Sequence, residues 1–95
     1  MAYYVYILAS RRNGTLYIGS TSDIVERIWQ HKNKVIKSFT SRYNVMQLVH
    51  LEEFDEPGMM AQREKRLKEW KRSWKIQLIE EHNPQWEDLY EKLVT

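Results

Sequence analysis

Two short apolar runs, Tyr3-Tyr4-Val5-Tyr6-Ile7-Leu8 and Leu16-Tyr17-Ile18-Gly19, flank a polar connection that ends in Asn13-Gly14. Runs this short and this rich in Tyr, Val and Ile predict strands, at about 3–9 and 15–19. Asn-Gly between them predicts a hairpin, because both residues tolerate positive φ. Side chains alternate along a strand, so Tyr4, Tyr6 and Leu8 share one face of the first, and Tyr17 and Gly19 share one face of the second. A two-residue turn at Asn13-Gly14 pairs Arg12 with Thr15 and points Tyr6 and Tyr17 to the same side. How close they come depends on register, which the pattern leaves open.

The pattern then changes period. Asp23 followed by Glu26 three residues on is a variant of the capping box and predicts a helix over about 24–32. Ile24, Val25, Ile28 and Trp29 make its apolar stripe, with Arg27 and His31 four apart at the edge. From there Arg27 can reach over the sheet or simply snorkel to water, and His31 can serve the helix dipole. Residues 32–44 are polar and basic, and read as a loop in which Phe39 and Tyr43 either anchor the chain or stack on bases.

Val45 to Leu51 predicts a third strand, and Asp55-Glu56-Pro57-Gly58 turns the chain into a helix over about 58–71. Met60, Leu67, Trp70 and Trp74 fall on one side of it, and Glu64 borders that stripe. Glu64 also stands four residues before Lys68, the spacing of an ordinary surface ion pair. Ser73 can cap a further helix over about 74–82. Asn83-Pro84 ends it and leads to a last short helix, from which Trp86, Leu89, Tyr90 and Leu93 pack back.

Ninety-five residues suit one domain, taken as 1–95. With no cysteine, disulfides and Cys-ligated metals are excluded, which fits a reducing compartment. The chain lacks a run of membrane-spanning length and a signal-peptide pattern, so a soluble, cytoplasmic protein with no membrane partner is expected. The net charge of +2 matters less than its distribution. Residues 63–75 carry seven basic side chains against Glu64 and Glu69, residues 11–42 seven more against Asp23 and Glu26, and Glu80 to Glu91 is acidic. Such separation suits a polyanion on one side of the molecule, or two solvated helix faces. His31, His50 and His82 are too dispersed for a zinc site, and the three glycines do not form a phosphate loop.

Taken in order, Tyr4-Val5-Tyr6, Tyr17-Ile18-Gly19, Arg27, His31 and Glu64 resemble the motifs of the GIY-YIG nuclease family, especially its small single-domain members. The resemblance covers about residues 3–86 and includes the tail Lys75-Ile76-Gln77-Leu78-Ile79-Glu80 with Asn83-Pro84. The second tripeptide matches fully; in the first, Tyr4 stands where the family has glycine.

The resemblance implies an α+β fold, with a three-stranded antiparallel sheet flanked by helices. It implies a metal-dependent endonuclease that uses Mg²⁺ or Mn²⁺ on nucleic acid, DNA in preference to RNA. Glu64 would hold the ion, since one carboxylate suffices for a cation that keeps most of its waters. Arg27 would clamp the scissile phosphate, Tyr6 or Tyr17 would orient or deprotonate the water, and His31 would relay the proton. Lys34, Lys37, Arg42, Lys65, Lys68 and Lys71 would meet the nucleic-acid backbone, with weak sequence preference. A non-catalytic nucleic-acid-binding module and a protein-interaction scaffold are the alternatives. Oligomeric state is not legible in the sequence.

Overall fold

A computed structural model describes residues 1–35 and 39–94. The two apolar runs form β1 (Tyr3–Ala9) and β2 (Leu16–Thr21), an antiparallel hairpin. β3 (Gln47–Phe54) pairs antiparallel with the other edge of β1, giving the order β2-β1-β3. With helices on both faces, this is the expected α+β sheet.

The turn is longer than Asn-Gly predicts. Ala9 pairs with Leu16, and the Ser10 N–H donates to the Thr15 carbonyl at 3.0 Å, so Thr15 faces Ser10 rather than Arg12. Asn13 takes the left-handed conformation at φ 57°, whereas Gly14 supplies space: a Cβ there would lie 2.3 Å from Ser10 Oγ. The register differs from the expected one by two residues, and a two-residue shift keeps every side chain on its face. Tyr6 and Tyr17 therefore still share a side.

α1 (Ile24–Lys32) starts at Asp23, whose carboxylate accepts from the Glu26 N–H at 3.2 Å. Ile24 and Ile28 pack on the sheet face that carries Tyr6, Leu8 and Leu48. Val25 and Trp29 remain exposed, so the predicted stripe is narrower than four residues. α5 (Tyr90–Val94) brings Tyr90 and Leu93 to the same face. The opposite face is covered by α3 (Pro57–Glu69) and α4 (Arg72–His82), with Leu67, Ile79 and Trp86 against Val5, Ile7, Ile18 and Val49. Leu67 is fully buried there, so truncation to alanine would cost about 2–5 kcal/mol.

Three local expectations fail for identifiable reasons. The segment 32–44 is not simply a loop: it contains the one-turn α2 (Phe39–Arg42), with Lys34 and Asn44 at positive φ on either side. The third strand ends at Phe54, beyond the predicted Leu51, because β1 offers ladder partners as far as Tyr3. Its Glu52 and Glu53 mask the strand pattern, and an edge strand tolerates such charges. Trp70 takes an extended backbone (ψ 147°) that breaks the predicted helix. Trp74 therefore belongs to α4 and is exposed, and α4 starts from Lys71 with no side-chain cap instead of from Ser73.

Candidate active site

Strand alternation aims Tyr6 and Tyr17 at α1, and cross-strand pairing sets Tyr6 opposite Gly19. Gly19 is where the site becomes possible. A Cβ at this position would lie 2.5 Å from the Tyr6 hydroxyl and 2.6 Å from its Cζ. The ring thus crosses the edge strand β2 through the space a side chain would fill, and its buried hydroxyl meets His31 there.

One turn of helix separates Arg27 from His31, so both look onto this hydroxyl. His31 is buried, with Nε2 3.1 Å from the Tyr6 hydroxyl and Nδ1 2.8 Å from Thr40 Oγ1. The Tyr17 ring lies 6.4 Å from that of Tyr6 and 5.7 Å from that of His31, centroid to centroid. Burial and the Arg27 charge lower the pKa of His31, keeping the imidazole neutral at neutral pH. The Tyr6 phenol is pushed up to about 12 by burial and by Tyr17, against the hydrogen bond and charge of Arg27.

Glu64 arrives from the other face. α1 and α3 lie on opposite sides of the sheet, so the two helices do not border one face. They meet instead at the edge strand. Gly19 opens the α1 side, and the next residue, Ser20, points to the α3 side and donates to Glu64 Oε1 at 2.6 Å. Glu64 Oε2 pairs with Lys68 Nζ at 2.9 Å, so the surface ion pair and the contact to the sheet coexist. Burial opposes the charge on Glu64, but the hydrogen bonds from Ser20 and Lys68 outweigh it and lower its pKa. The carboxylate is close enough to Tyr6 for its charge to raise the phenol's pKa, the smallest of the named influences.

This donor set suits one kind of ion. Among the described residues no group of three or more His, Cys, Asp or Glu could hold a metal, which disfavours zinc-like coordination. A single ionised carboxylate at a half-open edge suits a hard cation that would keep most of its own waters. The Lys68 side chain, 55% exposed, is free to swing off Oε2.

The other predicted cations scatter. Lys34 is exposed just beyond α1, and Lys65 is exposed on α3 next to Glu64. Lys68 is in the site, while Lys71 lies over the Trp74 ring at 5.0 Å. Arg42 lies over Tyr43, and Lys37 falls outside the described residues. A groove of about 320 Å³ lined by Trp70, Trp74, Gln77, Leu78 and Glu81 contains none of the site residues; the chemistry, not the concavity, locates the site. Ser20 and Thr40 were not evident as site residues from the sequence. Ser20 could have been found, since it follows Tyr17-Ile18-Gly19 and alternation turns it toward the other face. Thr40 had no such signal, because its role depends on α2 folding against His31.

The chain also has relatives among known proteins. The profile of the GIY-YIG catalytic domain matches residues 2–77. A UPF0213 protein of Staphylococcus saprophyticus is 35% identical over 79 residues, covering 83% of this chain and 95% of that protein. One from Syntrophus aciditrophicus is 37% identical over 83 residues, covering 86% and 93%. The solution NMR structure of a UPF0213 protein from Bacillus halodurans superposes with a TM-score of 0.59 at 29% identity, covering 100% of this chain and 99% of that one.

Proposed function

This chain belongs to the GIY-YIG catalytic-domain family of nucleases, and we propose that it is a metal-dependent endonuclease that hydrolyses phosphodiester bonds of nucleic acid, DNA in preference to RNA, with low sequence specificity. The observation that carries this reading is the Tyr6 hydroxyl, bonded to a neutral His31 and flanked by Arg27, while Glu64 reaches the same stretch of β2 through Ser20. A binding module has no use for a buried phenol coupled to a buried imidazole beneath an edge strand.

Each group has a role. Arg27 holds the scissile phosphate and neutralises charge that develops on it. A phenol with a pKa near 12 is a poor base by itself at neutral pH. Handing its proton to His31 Nε2 as it takes one from the attacking water removes that obstacle. This requires the tautomer in which Nδ1–H donates to Thr40 and Nε2 accepts from Tyr6. Tyr6 is thereby assigned the proton transfer, and Tyr17 packs beside it and lines the approach. Glu64 would hold Mg²⁺ or Mn²⁺, whose charge would stabilise the phosphorane-like transition state and the leaving oxygen. Lys34, Lys65 and Lys68 contact phosphates outside the cleaved bond.

The test is a cleavage assay and a binding titration on Glu64→Gln and Arg27→Ala, with folding checked by circular dichroism. Glu64→Gln keeps the hydrogen bond from Ser20 but removes the charge. It should abolish cleavage and leave affinity unchanged or slightly higher. Arg27→Ala should lower both. Full cleavage by folded Glu64→Gln would eliminate the metal-ligand role.

A further inference from the structure

Phe39 and Tyr43 stand 48% and 49% exposed, and neither belongs to the two core clusters of the described residues. Their rings lie 4.8 Å apart, centroid to centroid, at 46°, one at the start of α2 and the other just past its end. The Arg42 guanidinium sits 5.7 Å from the Tyr43 centroid. One turn of helix is not stable alone. α2 is held by Thr40, which is fully buried and bonded to His31 Nδ1. The aromatic pair thus rides on the element that positions His31, which in turn touches Tyr6.

Two half-exposed rings and a guanidinium, outside both core clusters of the described residues, offer π-faces and a positive charge together. That is the chemistry of a nucleobase stacking platform. Bases inside a duplex already have both faces covered, so such a platform selects an unpaired one. We infer that Phe39 and Tyr43, with Arg42, stack an unpaired base near the scissile phosphate, so that the substrate class is nucleic acid with a single-stranded region adjoining the cleaved bond. The inference rests on the nuclease reading for the position of the phosphate. The charge beside the rings favours a polyanion over a second copy of the chain as the occupant.

The test uses fluorescein-labelled oligo(dT) and a labelled, fully paired DNA duplex, titrated in EDTA so that nothing is cut. The double variant Phe39→Leu/Tyr43→Leu keeps apolar bulk and removes the π-faces, and each single variant is measured as well in case the double fails to fold. Oligo(dT) affinity should fall about tenfold for each base that can no longer stack, while duplex affinity should hold within about twofold. Equal oligo(dT) affinity in a folded variant would overturn the platform. So would equal losses on both probes, or a wild-type dimer that the variant dissolves in sedimentation. Adding Mg²⁺ to the wild-type protein with the same probes tests the nuclease reading separately. Binding that depends on the aromatics without any cleavage would support the platform and sink the nuclease reading alone.

Discussion

Replacing Gly19 by alanine adds one methyl group where there is no room for it. The new Cβ would stand 2.5 Å from the Tyr6 hydroxyl, 2.6 Å from Cζ and 3.0 Å from Cε2. Carbon–carbon contacts are optimal at about 3.5–4.0 Å, so the ring must retreat by roughly an ångström. Tyr6 is fully buried and bonded to His31, which makes that retreat expensive. Overpacking of this kind costs about 1–3 kcal/mol. Gly19 does not adopt positive φ, so alanine meets no backbone strain and recovers about 0.5–1 kcal/mol of strand preference. The net expectation is a loss of roughly 0–2.5 kcal/mol, measured by urea unfolding. In a Tyr6→Leu background the clash has no partner, and the same substitution should be neutral or slightly stabilising. Cleavage should fall far more than stability, because the displaced hydroxyl leaves His31. A Gly19→Ala protein of unchanged stability in both backgrounds would refute the placement of the Tyr6 ring across β2.

Ser20→Ala should raise the Mg²⁺ concentration needed for half-maximal cleavage about tenfold, since partners that orient a ligating carboxylate are worth roughly 10–100-fold in metal affinity; an unchanged metal titration would deny Ser20 that role. Glu52 is held down to about 2: burial opposes its charge, and the hydrogen bonds from His50 and Arg63 overcome that. A folded-state pKa below the unfolded one stabilises above about pH 4.5, and the benefit drains away as pH falls toward about 2. Arg63→Ala, which removes the 2.7 and 2.9 Å hydrogen bonds to Glu52, should therefore move the acid-unfolding midpoint upward, as followed by circular dichroism. Changing Lys34, Lys65 and Lys68 together to alanine should flatten the dependence of log affinity on log salt by about 0.9 for each phosphate no longer neutralised. An unchanged slope would place the nucleic acid elsewhere.

The two rival readings of Glu64 turn out not to compete. The i, i+4 pair with Lys68 is present, yet the carboxylate's other oxygen is tied to the sheet by Ser20. An exposed pair alone is worth about 0.3–0.5 kcal/mol and would leave the side chain largely in solvent. Glu64 is instead 22% exposed, drawn to the sheet edge at Ser20.

Period and punctuation were enough for much of this protein. The strand period placed Tyr6 and Tyr17 on one face. That conclusion survived a wrong turn length, because only odd shifts of register invert a strand. The capping pair Asp23 and Glu26 located α1, and helical spacing put Arg27 and His31 side by side. These are local properties, set by a few consecutive residues. What the sequence left open depends on contacts between residues far apart in it. Which tyrosine meets His31 was decided by the pairing of Tyr6 with Gly19 and by how α1 lies on the sheet. That Glu64 comes from the opposite face was decided by the packing of Leu67 against Ile7 and Ile18. The exposure of Phe39 and Tyr43 followed from a one-turn helix that has no local signal of its own and is held in place by Thr40 against His31. Local pattern fixes the direction of a side chain within its element, whereas its neighbours are set by where whole elements bury their apolar faces.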